Sequence, residues 1–102
     1  RQLKRILKRT GVGIARTGGY TGHGSGEVMI GFTTANRIPS GREEELLQIS
    51  AIPEHVINRA FLAAAEAEQE AILNSMTAAK QTRGREGELY YSLAEYLNDR
   101  NA

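Results

Sequence analysis

The chain has 102 residues, 40% of them hydrophobic and 25% charged, and it contains no Cys. That length allows one domain at most with a modest core, and the composition describes a soluble globular protein, neither disordered nor membranous. The missing thiols exclude disulfides, thiolate catalysis and cysteine-based zinc sites and fit a cytoplasmic location; no apolar run approaches the ~20 residues of a spanning helix, so no membrane partner is expected.

The net charge of +1 hides an uneven spread: residues 1–26 carry six basic side chains and no acid, while the remainder is net negative. Leu3, Ile6, Leu7 and Thr10 recur at helical spacing, with Lys4, Arg5, Lys8 and Arg9 around the rest. The pattern predicts a helix from Gln2 to Ala15 whose basic residues form its wet side. Gly11 and Gly13 either admit close packing of a neighbour or end the helix. No aromatic is interleaved among the basic residues, which argues against a single-strand nucleic-acid platform. The chain starts at Arg1 rather than Met and shows no signal-peptide pattern, so a processed or trimmed chain is expected.

A glycine-dense stretch, Ala15 to Glu27, follows and runs into Val28-Met29-Ile30-Gly31-Phe32-Thr33-Thr34. Read as a strand, one face carries Ser25, Glu27, Met29, Gly31 and Thr33, and the other Gly26, Val28, Ile30, Phe32 and Thr34. The second reads as a core face. The first opens with a hydroxyl and a carboxylate and continues with slim residues that leave room for something to lie against it. Ser25 and Glu27 are therefore candidate active-site residues, with Gly24 and Gly26 letting a substrate backbone come close.

Ala35 to Arg42 reads as an exposed loop, and Glu43–Ala51 as a short strand. Pro53-Glu54-His55 forms a turn. A long helix from Asn58 to Lys80, with Asn58 as N-cap, carries Ile57, Phe61, Ala64, Ala65, Ile72 and Met76 near one stripe, flanked by Leu62 and Leu73. This helix reads as scaffold. Gln81 to Gly87 is a Gly-marked turn, and Leu89-Tyr90-Tyr91 reads as extended. Ser92 and Glu95 have the spacing of a capping box opening a last short helix, after which the final five residues fray.

Other chemistries fit poorly. The Gly22-x-Gly24 of a phosphate loop meets Glu27 where a dinucleotide fingerprint needs Gly, and a strand follows where a helix should begin. His23 with Glu27 supplies two ligands where a catalytic zinc wants three, so no metal is expected. A Ser-His-Asp triad would need Asp99, near the chain end, and Ser25 lacks a strand-to-helix elbow.

Ala15-Arg16-Thr17-Gly18, Gly22, Gly24-Ser25-Gly26-Glu27 and Phe32-Thr33-Thr34-Ala35-Asn36 together resemble the DmpA/BapA-type aminopeptidases, the L-aminopeptidase/D-esterase family. So do Phe61 to Asn74 and the later Gly84-Arg85-Glu86-Gly87. The resemblance implies an α+β fold, the β-chain part of an αββα sandwich shared with the ornithine acetyltransferase-like superfold. It implies a precursor that cleaves itself into α and β chains, with the new N-terminal Ser of β as nucleophile and several αβ units assembling together. Peptides, amides or esters lose their N-terminal residue, and no cofactor is used. This sequence matches the later part of the β chain. Arg1 cannot be the nucleophile, which needs a hydroxyl or thiol beside a free amine, so a Ser a short stretch upstream is expected. Residues 1–102 then form a single domain incomplete without its α chain, and inert alone. Ser25 and Glu27 fall on the family's site residues.

Two other readings are carried beside this one. The first is a small binding module using the basic helix on nucleic acid or an acidic partner, with binding that falls steeply with salt. The second is an ornithine acetyltransferase-like acyl transferase with a Thr nucleophile.

Overall fold

Helix packing organises the molecule, a computed structural model that describes residues 1–41 and 46–101. In chain order come α1 (Gln2–Lys8), α2 (Thr10–Arg16), a 3-10 turn (Glu54–Val56), α3 (Ile57–Ala78), β1 (Thr82–Arg83), β2 (Leu89–Tyr90) and α4 (Leu93–Asn101). Helices with one small sheet make the fold α+β.

The helix predicted over Gln2–Ala15 is two seven-residue helices. The interruption falls at Arg9 and not at the glycines. Its N–H donates to Ile6 O, three residues back, at 2.9 Å, which tightens the turn without breaking the path of the chain. Helices this short are marginal alone and depend on packing.

That packing explains Gly13, which is buried. A Cβ there would lie 2.6 Å from Ala65 O and 2.9 Å from Gln69 N. The backbones of α2 and α3 therefore meet directly, an approach only Gly allows. Ala65, on the facing side, is 3% exposed. Farther along, the Arg9 guanidinium lies 3.9 Å from the Phe61 ring centroid and that of Arg5 5.4 Å, a cation–π stack joining α1 to α3. Arg5 also pairs with Glu54 at 2.9 Å.

The long helix begins one residue before Asn58, which lies inside its first turn; Val56 stands at the N-cap with no side-chain cap hydrogen bond. The 3-10 turn over 54–56 feeds straight into the helix, so no separate cap is needed. It ends at Ala78, two residues short of Lys80, and its 22 residues span about 33 Å. Ile57 and Ala65 are buried, but Met76, placed on the same stripe, is 42% exposed. The helix has more apolar surface than the described residues cover.

Residues 25–33 form no strand, contrary to the expectation from their alternation. The alternation itself is real, but the faces are reversed. Met29 and Gly31 turn toward the helices: Met29 Cε lies 3.6 Å from a Cβ built at Gly11, and a Cβ at Gly31 would meet Leu7 at 2.7 Å. Val28, Ile30 and Phe32, the expected core face, are 85–89% exposed. The slim face was the one with room, and the helices occupy it.

The strand expected over Glu43–Ala51 is likewise absent over 46–51, while Glu43 to Glu45 and Arg42 of the preceding loop lie outside the described residues. Two side-chain amides grip this segment. Asn36 donates to Ser50 O at 2.9 Å and accepts from Ser50 N at 2.7 Å. Gln2 donates to Ile52 O at 2.6 Å and accepts from Ile52 N at 2.9 Å. Each amide imitates one rung of a β-ladder, on residues two apart and hence on one edge.

At the C-terminus, β1 and β2 pair antiparallel, Thr82 with Tyr90 and Arg83 with Leu89. The capping box is formed: Glu95 N donates to Ser92 Oγ at 3.1 Å, and Ser92 N donates to Glu95 Oε2 at 2.8 Å. The tail expected to fray continues α4 to Asn101.

Among the described residues only Ile57 and Ala65 are buried hydrophobics. The radius of gyration is 19.6 Å, against about 13 Å for a compact chain of this length. Accessible surface is 9,038 Å², against about 5,700 Å² for a folded monomer of this mass.

Candidate active site

The Gly-rich loop is pinned at both ends. At its start, α2 closes in a Schellman motif: Gly19 N donates to Ile14 O at 3.1 Å and Gly18 N to Ala15 O at 3.0 Å, with Gly18 at φ 102°. This arrangement satisfies carbonyls left open at the helix end and requires the positive φ that Gly tolerates. Thr17 adds its hydroxyl to Ile14 O at 2.8 Å. At the far end Ser25 N donates to Gly22 O at 2.9 Å, closing a turn. Between these anchors lie only Tyr20 and Thr21.

The turn delivers Ser25 and Glu27 to the start of the segment that lies on α1 and α2. Both are exposed, as are Gly24 and Gly26. A Cβ at either glycine would have nothing within 4 Å. The backbone on both sides of Ser25 is thus open. Glu27 borders a cavity of about 330 Å³ shared with Leu7, Thr10, Ile14, Met29 and Glu68. Among the described residues, neither Ser25 Oγ nor the Glu27 carboxylate has a hydrogen-bond or ion-pair partner. A hydroxyl and a carboxylate two residues apart, both free to bond, can together hold an ammonium group and accept or pass on a proton.

Among the described residues no group of three His, Asp or Glu side chains could hold a metal ion, and none of the helices is long and apolar enough to cross a membrane. Three features escaped the sequence reading. Thr21 is the one described non-Gly residue with positive φ, at 55°, a conformation no single sequence signals at a Thr. The amide grips of Gln2 and Asn36 join residues 50 and 14 positions apart, and nothing in the local pattern announces them.

The chain is similar to the PH0078 protein from Pyrococcus horikoshii OT3, a solved structure: TM-score 0.87 and 46% identity over 98% of this chain and 28% of that one. It is also similar to the beta-peptidyl aminopeptidase BapA of Sphingosinicella microcystinivorans, 34% identical over 84% of this chain and 22% of that protein. The BapA of Sphingosinicella xenopeptidilytica is 29% identical over 90% and 23% respectively. The chain therefore spans under a quarter of the length of these aminopeptidases. The sequence profile of Peptidase family S58 matches residues 1–90, and the chain belongs to that family.

Proposed function

We propose that this chain is the β-chain portion of a self-cleaving serine aminopeptidase, with its nucleophilic Ser upstream of Arg1. The observation that carries this reading is the free pair of Ser25 and Glu27, open on both sides and borne on a family S58 chain. In this role Ser25 Oγ hydrogen-bonds the attacking hydroxyl or the nucleophile's own α-amine, which must be held while its proton is passed on. Glu27, ionised, holds the free amino group of the substrate through a charge-assisted hydrogen bond. That contact explains why the N-terminal residue of a peptide, amide or ester is the one released. No metal or cofactor enters the chemistry.

The exposed row of Val28, Ile30 and Phe32 supports the rest of the proposal. An apolar face of this kind needs a cover, and in an αββα sandwich the second sheet, completed by the α chain of the same precursor, supplies it. Residues 1–102 are then one incomplete domain, and several αβ units assemble together. We place the enzyme in the cytoplasm, with peptides and not nucleic acid as its partners. The test is turnover of aminoacyl amides by the full-length processed enzyme. Ser25→Ala or Glu27→Gln should lower kcat by roughly 10²-fold, the scale of one positioned acid–base group. Near-normal turnover in both variants rejects the assignment.

A further inference from the structure

We propose that Tyr20 sets specificity: its ring forms a wall of the substrate site and takes the apolar side chain of the residue being released. The proposal rests on the reading of Ser25 and Glu27 above.

The argument begins with the loop. Its two anchors, the Schellman closure at Ile14–Gly19 and the turn from Gly22 to Ser25, fix the chain on either side of Tyr20 and Thr21. The linking residue, Thr21, is β-branched yet sits at φ 55°, where such residues are true outliers. A loop held in an unfavourable conformation commonly marks a site where the presented group matters. The group presented is Tyr20, 88% exposed. It is nevertheless placed, since its ring lies over Gly22, where a Cβ would come within 3.3 Å of Tyr20 Cε2. The absence of a side chain at Gly22 lets the ring lie close over the turn. An aromatic ring offers a large apolar contact area with few torsions to freeze.

Position selects the part of the substrate it meets. The turn that closes on Ser25 N starts at Gly22, two residues after Tyr20, and Glu27 holds the substrate's amino group in the proposed mechanism. The nearest variable group to that amine is the side chain on the same residue. The ring therefore meets the released residue and favours aliphatic and aromatic side chains.

The experiment uses the full-length enzyme and a series of aminoacyl p-nitroanilides bearing Gly, Ala, Leu or Phe, so that the leaving group is constant. Tyr20→Ala should raise KM about tenfold for Leu and Phe, leaving the Gly substrate and all kcat values within about twofold, the scale of discrimination in an apolar pocket. Tyr20→Phe should behave as wild type. Gly22→Ala, whose Cβ would nudge the ring by a few tenths of an ångström, should shift KM in the same selective direction by less. Loss of equal size across the series, a fall in kcat, or no change overturns the proposal. So does a Tyr20→Ala enzyme that melts well below wild type, which assigns the ring to packing. Activity abolished by Glu27→Gln but unshifted by Tyr20→Ala removes this inference alone. A wild-type enzyme that releases no N-terminal residue from this series or from matching peptides and esters, β-aminoacyl ones included, removes both.

Discussion

The helices α1 to α3 and the run from Ser25 to Ile52 come from one chain and differ in what completes them. A helix makes its hydrogen bonds within itself, so α2 and α3 need only a shared face, which Gly13 and Ala65 provide. A strand makes its bonds to neighbours. Among the described residues, 26–34 and 46–52 have no backbone hydrogen-bond partner. Side-chain amides stand in at Ser50 and Ile52 alone. The helices therefore satisfy their own backbone, while among the described residues the extended run leaves most of its backbone groups without a strand neighbour.

Hydrogen exchange tests that contrast at its widest. In the 102-residue chain, the amides of Val28 to Phe32 should exchange near their intrinsic rates, while those inside α3 are protected. In the full-length protein the former should slow by about 10³-fold or more, as local opening gives way to concerted opening of a sheet. Equal exchange in both proteins would break the comparison. Next in size is the joint within the helical half. Gly13→Ala places a methyl against the α3 backbone and should destabilise by about 1–3 kcal/mol, the usual cost of overpacking, read as a lowered denaturant midpoint. The smallest effect concerns Arg5 and Glu54. The Arg5 guanidinium, with help from the Gln2 amide, holds the Glu54 carboxyl below its ordinary range. A depressed carboxylate contributes stability above its unfolded pKa and loses it as pH falls through the folded one. Melting temperature should therefore fall slightly more steeply below pH 5 in wild type than in Glu54→Gln. Both partners are substantially exposed, so the difference is small.

Legibility in the sequence followed the same divide. Features whose cause lies within a few residues could be read: the Ser92–Glu95 capping box, the body of α3, the turn at Pro53. The start of α3 was misplaced because the 54–56 turn supplies an entry that needs no Asn58 cap. The reversal of faces at 28–33 has a different origin. Alternation states that a segment has two faces but not which is covered first, and Val28, Ile30 and Phe32 look like core because they are apolar. Ser25 and Glu27 were legible as a motif, and the structure leaves both side chains exposed. The positive φ of Thr21 and the reach of Gln2 to Ile52 arise from tertiary closure, on which a linear pattern is silent.

Asn36 grips the chain through a group that carries no charge and, among the described residues, bonds to none, so acid and salt that loosen the Arg5–Glu54 pair pass this joint by. The Gln2 amide, by contrast, also meets the Glu54 carboxylate. The weakness of the Asn36 joint is chemical ageing. Should Asn36 lose ammonia to become Asp, the amide nitrogen now donating to Ser50 O is replaced by a carboxylate oxygen, and a clasp turns into a repulsion between two acceptors. One slow hydrolysis, far in sequence from the Ser25 pair, would then loosen the grip at Ser50 and leave Gln2 alone to hold the segment at Ile52.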